Sequence, residues 1–149
     1  MRIVYYSYWG TYAAYTMAAL HIGLYPKDRL PLVEWIAGQY ELCRLYGEQN
    51  GNLIYVGMDD QFSEVYSLGC RRHGGMVVRA IQHVSDIFDI REPVHLISAE
   101  SLDGLLPLLL QNSHFSNNKL KEKLFTKWFN NVYPKCIVKS LQNVHGSDQ

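Results

Sequence analysis

The sequence predicts an α/β domain: a three-layer arrangement with a mostly parallel sheet and one antiparallel hairpin. Three observations lead there. A short apolar run at the start is broken by a glycine turn and followed by an alanine-rich helical stretch. Two β-like runs stand five residues apart, a hairpin spacing. Strand-like and helical segments then alternate through the rest of the chain.

Each element has a local reason. Ile3 to Tyr6 is apolar and aromatic and reads as the first strand. Trp9-Gly10-Thr11 breaks it. From Tyr12 to Gly23 the spacing is helical, with Ala14, Ala18 and His21 on one stripe and Ala13, Met17 and Leu20 on its neighbour. Gly23 suits a C-cap, and Pro26 and Pro31 prevent continuation. Leu32 to Tyr46 is a second helical stretch, interrupted at Gly38. Asn52 to Gly57 and Ser63 to Leu68 form the hairpin. A polar loop, Gly69 to Gly75, leads into Met76 to Ile90, whose Val77, Ala80, Ile81, Val84, Ile87 and Phe88 follow the helical period. Val94 to Ile97 reads as a buried strand, Ser98 to Asp103 as a capping segment, and Leu105 to Leu110 as a helix with Pro107 in its first turn. Lys119 to Phe129 fits two readings: Leu120, Leu124 and Trp128 keep helical spacing, while Leu124-Phe125-Thr126 suits a strand. Tyr133-Pro134 starts the last helix, with Pro134 at its first position and Ile137, Val138, Leu141 and Val144 on its apolar face.

Composition bounds the function classes. A chain of 149 residues fits one domain, taken as residues 1–145 with 146–149 as a frayed tail. With 48% apolar and 13% aromatic residues it buries a sizeable core and is no disordered tail. Its 14 basic and 14 acidic residues cancel, which argues against a protein held on nucleic acid by bulk charge. The balance is uneven: residues 1–113 carry −4, and residues 114–149 carry six lysines and two acids, or +4. A lysine-rich end can meet an acidic partner, but a solvated helical face explains it better. Cys43, Cys70 and Cys136 are odd in number and widely spaced, as in a reduced cytoplasmic protein. Only Cys70 has a soft ligand near it, His73, so no metal set is complete and no cofactor is implied. The polar residues Ser7, Gly10, Thr11, Thr16 and His21 break the N-terminal apolar stretch, so it reads as neither signal peptide nor membrane span.

Two loops are candidates for anion binding. Ser7 to Thr11 joins a strand to a helix N-terminus, where free N–H groups and the positive end of the helix dipole attract phosphate or carboxylate. Gly10 would let the backbone approach, and Ser7 and Thr11 could add hydroxyls. No phosphate-loop lysine accompanies them, and a tight turn with Thr11 as N-cap and Trp9 packed on the sheet is the preferred alternative. Arg71, Arg72 and His73 precede Gly74-Gly75 and another helix, and two guanidinium groups suit an anion better. Loops at the carboxyl ends of sheet strands converge, so this one could face Gly10 across a crevice. The competing expectation pairs Arg71 and Arg72 with Asp59, Asp60 or Glu64. Glu100 and Asp103 could supply acid/base groups at the same edge, or simply the acidic first turn of a helix. His21, His83 and His95 read as hydrogen-bonded structural histidines. Of eleven tyrosines, five crowd the first strand and helix, and Tyr8, Trp9 and Tyr12 are taken as a partner surface.

Several stretches together resemble a family. They are Ile3-Val4-Tyr5-Tyr6-Ser7-Tyr8-Trp9-Gly10-Thr11 with Ala18 to Leu24, Tyr66-Ser67-Leu68-Gly69-Cys70-Arg71-Arg72 with Val78 to Ile81 and Asp86-Ile87-Phe88, and Tyr133-Pro134-Lys135. In order and spacing the chain is similar to small proteins of spore-forming Firmicutes, a domain of unknown function. The resemblance implies a Rossmann-like domain with no established activity, and it implies that Leu124 to Phe129 is the last strand. The family usually shows Cys-Tyr-Gly-Gly-Thr-His-Ser-Ser after the first strand. The aligned residues here are Ser7, Tyr8, Trp9, Gly10, Thr11, Tyr12, Ala13 and Ala14. The thiol, one glycine, the histidine and both serines are gone.

Two functions are therefore weighed. One is a small non-catalytic binding or regulatory protein, linked by resemblance to sporulation, with a degenerate anion loop and a protein partner or self-association. The other is a phosphate-handling enzyme, a nucleotide hydrolase or phosphotransferase. It would hold a phosphate-bearing small molecule on Gly10, Arg71 and Arg72, with Glu100 or Asp103 as base. The lost polar residues favour the first.

Overall fold

A computed structural model describes residues 1–112 and 117–146. Its elements run β1 (Arg2–Ser7), α1 (Ala13–His21), α2 (Val33–Tyr46), β2 (Leu53–Met58), β3 (Glu64–Gly69), α3 (Gly74–Ile87), β4 (Val94–Ser98), α4 (Glu100–Asp103), α5 (Leu106–Leu110) and α6 (Asn118–Gly146). The sheet has four strands in the order β2-β3-β1-β4. β1 is parallel to both β3 and β4, and β2 is antiparallel to β3. The mixed α/β class and the single antiparallel pair match the sequence expectation.

Strand register sorts the side chains. Ile3, Tyr5 and Ser7 share one face with Val65 and Ser67, while Val4 and Tyr6 share the other with Tyr66, Leu68 and Leu96. The first, inner face carries the core. α1 lies on it, and its Ala13, Ala14, Ala18 and Ala19 are fully buried. These small side chains let the helix sit close to the sheet and let α6 sit close to the helix. α6 fills the resulting layer with Phe125, Trp128, Phe129 and Tyr133, which meet Tyr12 and Tyr25 in tilted and edge-on ring contacts, while Phe129 and Tyr133 stack on each other. Of the five tyrosines that crowd the first strand and helix, Tyr5 and Tyr12 are core, at 2% and 1% exposure, and Tyr6, Tyr8 and Tyr15 are half-buried.

Several expectations are corrected. Leu124 to Phe129 is not a strand but part of α6, whose buried positions Phe125, Phe129, Tyr133 and Cys136 keep three- and four-residue spacing. Tyr133-Pro134 does not start a helix, because Pro134 stands inside α6. α2 runs unbroken through Gly38. β4 is an edge strand, with His95 exposed on it, rather than a buried one. The expected tail falls mostly on residues 147–149, outside the described residues.

The outer face of the sheet is sparsely covered. Val4, Leu68 and Cys70 form a small separate cluster there, with Tyr6, Tyr66, Val77, Val94 and Leu96 packed against it. α3 supplies only Val77 to that cluster. Gly74 is its single buried residue, and its C-terminal apolar residues stand in solvent, Ile87 at 75% and Phe88 at 72% exposure.

Candidate functional site

The carboxyl ends of β1, β3 and β4 bring the predicted site residues to one edge of the sheet, as expected of parallel strands. The two loops do face each other, but no crevice separates them. Gly10 has φ +69°, and a Cβ added to it would lie 2.5 Å from the Gly69 nitrogen. Only glycine permits that crossing of one loop over the end of β3. The Cys70 and Arg71 N–H groups donate to the Ser7 and Tyr8 carbonyls at 2.9 and 3.1 Å, which closes the seam.

The loop after β1 is an anion nest, and the anion in it is the chain's own. Asp103 is 3% exposed. Its carboxylate accepts the Tyr8 N–H at 3.0 Å and the Ala13 N–H at 3.1 Å. The Ser7 hydroxyl and the Trp9 N–H are also turned toward it. Of the donors that the sequence offered to a phosphate, Ser7 is among these, whereas the Gly10 N–H donates to Ser7 Oγ at 3.4 Å. α1 has no cap from its own N-cap residue, Tyr12, and Asp103 serves as the cap from a distance in sequence. Burial pushes the Asp103 carboxyl up to about 6, against the pull of these hydrogen bonds. Its backbone carbonyl accepts the Trp128 Nε1–H at 2.8 Å, tying the nest to α6.

Glu100 lies beside the start of α3 but is exposed, and its carboxylate meets the Ser98 hydroxyl. A Cβ added at Gly74 would lie 2.2 Å from Glu100 Oε1, so the glycine makes room for the carboxylate at the start of that helix. The Cys70 thiol beside it is pushed up to about 11 by burial, with the Glu100 charge adding to the effect. The two acids weighed as catalytic bases thus lie near the starts of α1 and α3, and Asp103 fills the donor site at α1.

The remaining candidates are dispersed. Trp9 and Tyr12 are 5% and 1% exposed, so they supply core contacts and no partner surface, while Tyr8 is half-buried. Thr11 is not the cap of α1, and its Oγ1 is buried without a hydrogen-bond partner. The Arg71 guanidinium lies over the rings of Tyr8 and Trp9 at 5.8 and 5.2 Å, and Arg72 and His73 are exposed. Neither arginine meets the acids expected of it. Glu64 pairs with Arg2, and Asp59 pairs with His21. His21 bridges the Tyr5 hydroxyl at Nδ1, 2.8 Å, and Asp59 at Nε2, 3.1 Å. That relay lies at the opposite end of α1 and pins the β2–β3 turn to the core.

Two residues that sequence reasoning missed hold the site together. Gln39, 2% exposed, reaches the Thr11 and Tyr12 carbonyls and the Thr16 hydroxyl from α2. Gln111 donates to the Tyr12 hydroxyl at 2.7 Å and to the Cys43 carbonyl at 3.1 Å. A glutamine on a helix carries no motif; only the open carbonyls before α1 hint that a buried donor is required. A cavity of about 260 Å³ beside Gln111 is lined by Tyr12, Tyr40, Cys43 and Arg44, and none of the predicted anion-binding residues reaches it. Among the described residues no group of His, Cys, Asp and Glu is arranged to hold a metal, and no helix is long and apolar enough to cross a membrane.

Comparison with protein families matches residues 2–145 to one described as a protein of unknown function, DUF3189. No curated protein and no solved structure matches the chain.

Proposed function

The chain belongs to this family of unknown function, and we propose that it is a non-catalytic binding or regulatory module that holds a protein partner on the outer face of its sheet. The observation that carries the reading is the exposed apolar surface of α3 and its surroundings. Ile87, Phe88, Met76 and Val84 are 75, 72, 61 and 48% exposed, and Leu53 and Tyr55 on the same outer face are 56 and 55% exposed. Single exposed apolar residues mean little, but a helix side and a half-bare sheet face together form a patch of the kind that marks interaction sites.

The sheet edge supports the same reading. The nest that a phosphate-handling enzyme would use is filled by Asp103, and the Arg71 guanidinium is engaged over the Trp9 ring. A phosphate would have to displace a hydrogen-bonded carboxylate that the fold itself delivers.

The test is capture from a native extract with the tagged full chain and with a Val84→Glu/Ile87→Glu variant. The reading expects the wild-type chain to retain a polypeptide that the variant loses, while the far-UV circular dichroism of the two is the same. A polypeptide retained equally by both would overturn it.

A further inference from the structure

We propose that the occupant of this outer face is a second copy of the chain, joined through α3 about a two-fold axis; the proposal rests on the reading of that face given above. The first argument is exposure. Met76, Val84 and Ile87 of α3 are 61, 48 and 75% exposed, and of that helix only Val77 packs on the outer cluster, so an apolar arc is left uncovered along the helix.

The second argument is the pattern along α3. Val77, Val78, Ile81 and Ser85 are half-buried, and Met76, Ala80, Val84 and Ile87 form the adjoining exposed arc. Run antiparallel to itself about an axis near Gln82, that arc is self-complementary. Met76 of one copy meets the Ile87 end of the other, and Ala80 meets Val84. The small Ala80 lies near the axis, where two helices approach most closely. An isologous pairing of this kind buries the same arc on both copies and closes at two.

The third argument is charge. Arg79 and Asp86 are exposed on the solvent-side flank of α3, and among the described residues neither takes part in an ion pair. The same axis sets Arg79 of each copy against Asp86 of the other, which makes two matched contacts. With a formal net charge of zero, two copies carry no net repulsion.

The experiment is sedimentation equilibrium on the purified full chain over a range of concentrations. The proposal expects a mass approaching twice 17.2 kDa. Val84→Glu/Ile87→Glu shifts the chain to monomer with unchanged circular dichroism. Arg79→Glu and Asp86→Arg each weaken dimerisation by roughly tenfold, because two symmetric contacts turn repulsive at once. The double variant Arg79→Glu/Asp86→Arg recovers the wild-type constant. Failure of that recovery overturns the antiparallel α3 pairing. A monomer at every concentration overturns the second copy as occupant. If extract capture still depends on Val84 and Ile87 in that case, the binding face stands with another polypeptide on it; if it does not, both readings fall together.

Discussion

Asp103 shows what a single buried carboxylate does when it meets a helix start. Its burial holds the folded-state value near 6, above the ordinary value of 3.8. The folded chain therefore takes up the proton before the unfolded chain as pH falls. The stability gained is complete below the unfolded value and is lost as pH rises through about 6. Unfolding free energy from urea titrations should climb from about pH 7 to about pH 4, by roughly 2–3 kcal/mol from this group. Asp103→Asn should flatten that part of the profile; an unaltered slope would contradict it. Phe62 offers a second residue-scale test. It sits at φ 61° in the β2–β3 turn, 81% exposed, held there by Asp59, whose carboxylate accepts the Gln61 and Ser63 N–H groups. A bulky side chain is strained in the left-handed region. Phe62→Gly should raise thermal stability by about 1 kcal/mol, because the strain is relieved and the ring it removes stands in solvent, outside the core. At this scale the sequence was half legible. The strand–glycine–helix signal at Ser7 to Thr11 does announce an anion nest. Asp103, more than ninety positions away in sequence, could be named as an acid there but not as the occupant, because local spacing says nothing of a non-local cap.

At the scale of elements, the alternation of short apolar runs with helical stretches was enough to place β1, α1, the hairpin, α3 and β4. α6 was the failure. It runs from Asn118 to Gly146 through Pro134, and sequence reading split it there. Proline is expensive inside a helix, since it has no N–H for the carbonyl four residues back and crowds that turn. α6 is kept whole by tertiary packing, because Phe129, Tyr133 and Cys136 on either side of Pro134 are all buried. Tyr133 also donates its hydroxyl to the Pro26 carbonyl. Since Pro134 itself is exposed, Pro134→Ala should stabilise the fold by about 1–3 kcal/mol in a denaturant titration. Destabilisation would mean that the break in the ladder is needed for packing. The helical period of α3 was equally plain in the sequence. What periodicity could not show is that the sheet covers only part of its apolar arc.

For the whole molecule, the Asp103 nest and the exposed apolar residues of α3 lie on different surfaces. At the carboxyl edge of the sheet the start of α1 is satisfied by Asp103, and Trp9 beside it is buried. The outer face is left with apolar side chains that its single helix does not shield. Sequence reading placed the partner surface at Tyr8, Trp9 and Tyr12, because a crowd of aromatics near a loop is as consistent with an interface as with a core. It took the layering of α6 over α1 to assign two of them to the core. On the proposed reading, the exposed arc of α3 is the binding surface. The most direct measurement places a photo-crosslinking residue at Ile87 of the full chain, with a control at Lys135 on α6. The account predicts a polypeptide adduct from position 87, of this chain or another, and none from position 135. Irradiation that yields no adduct at position 87 under conditions where the chain is folded would contradict it.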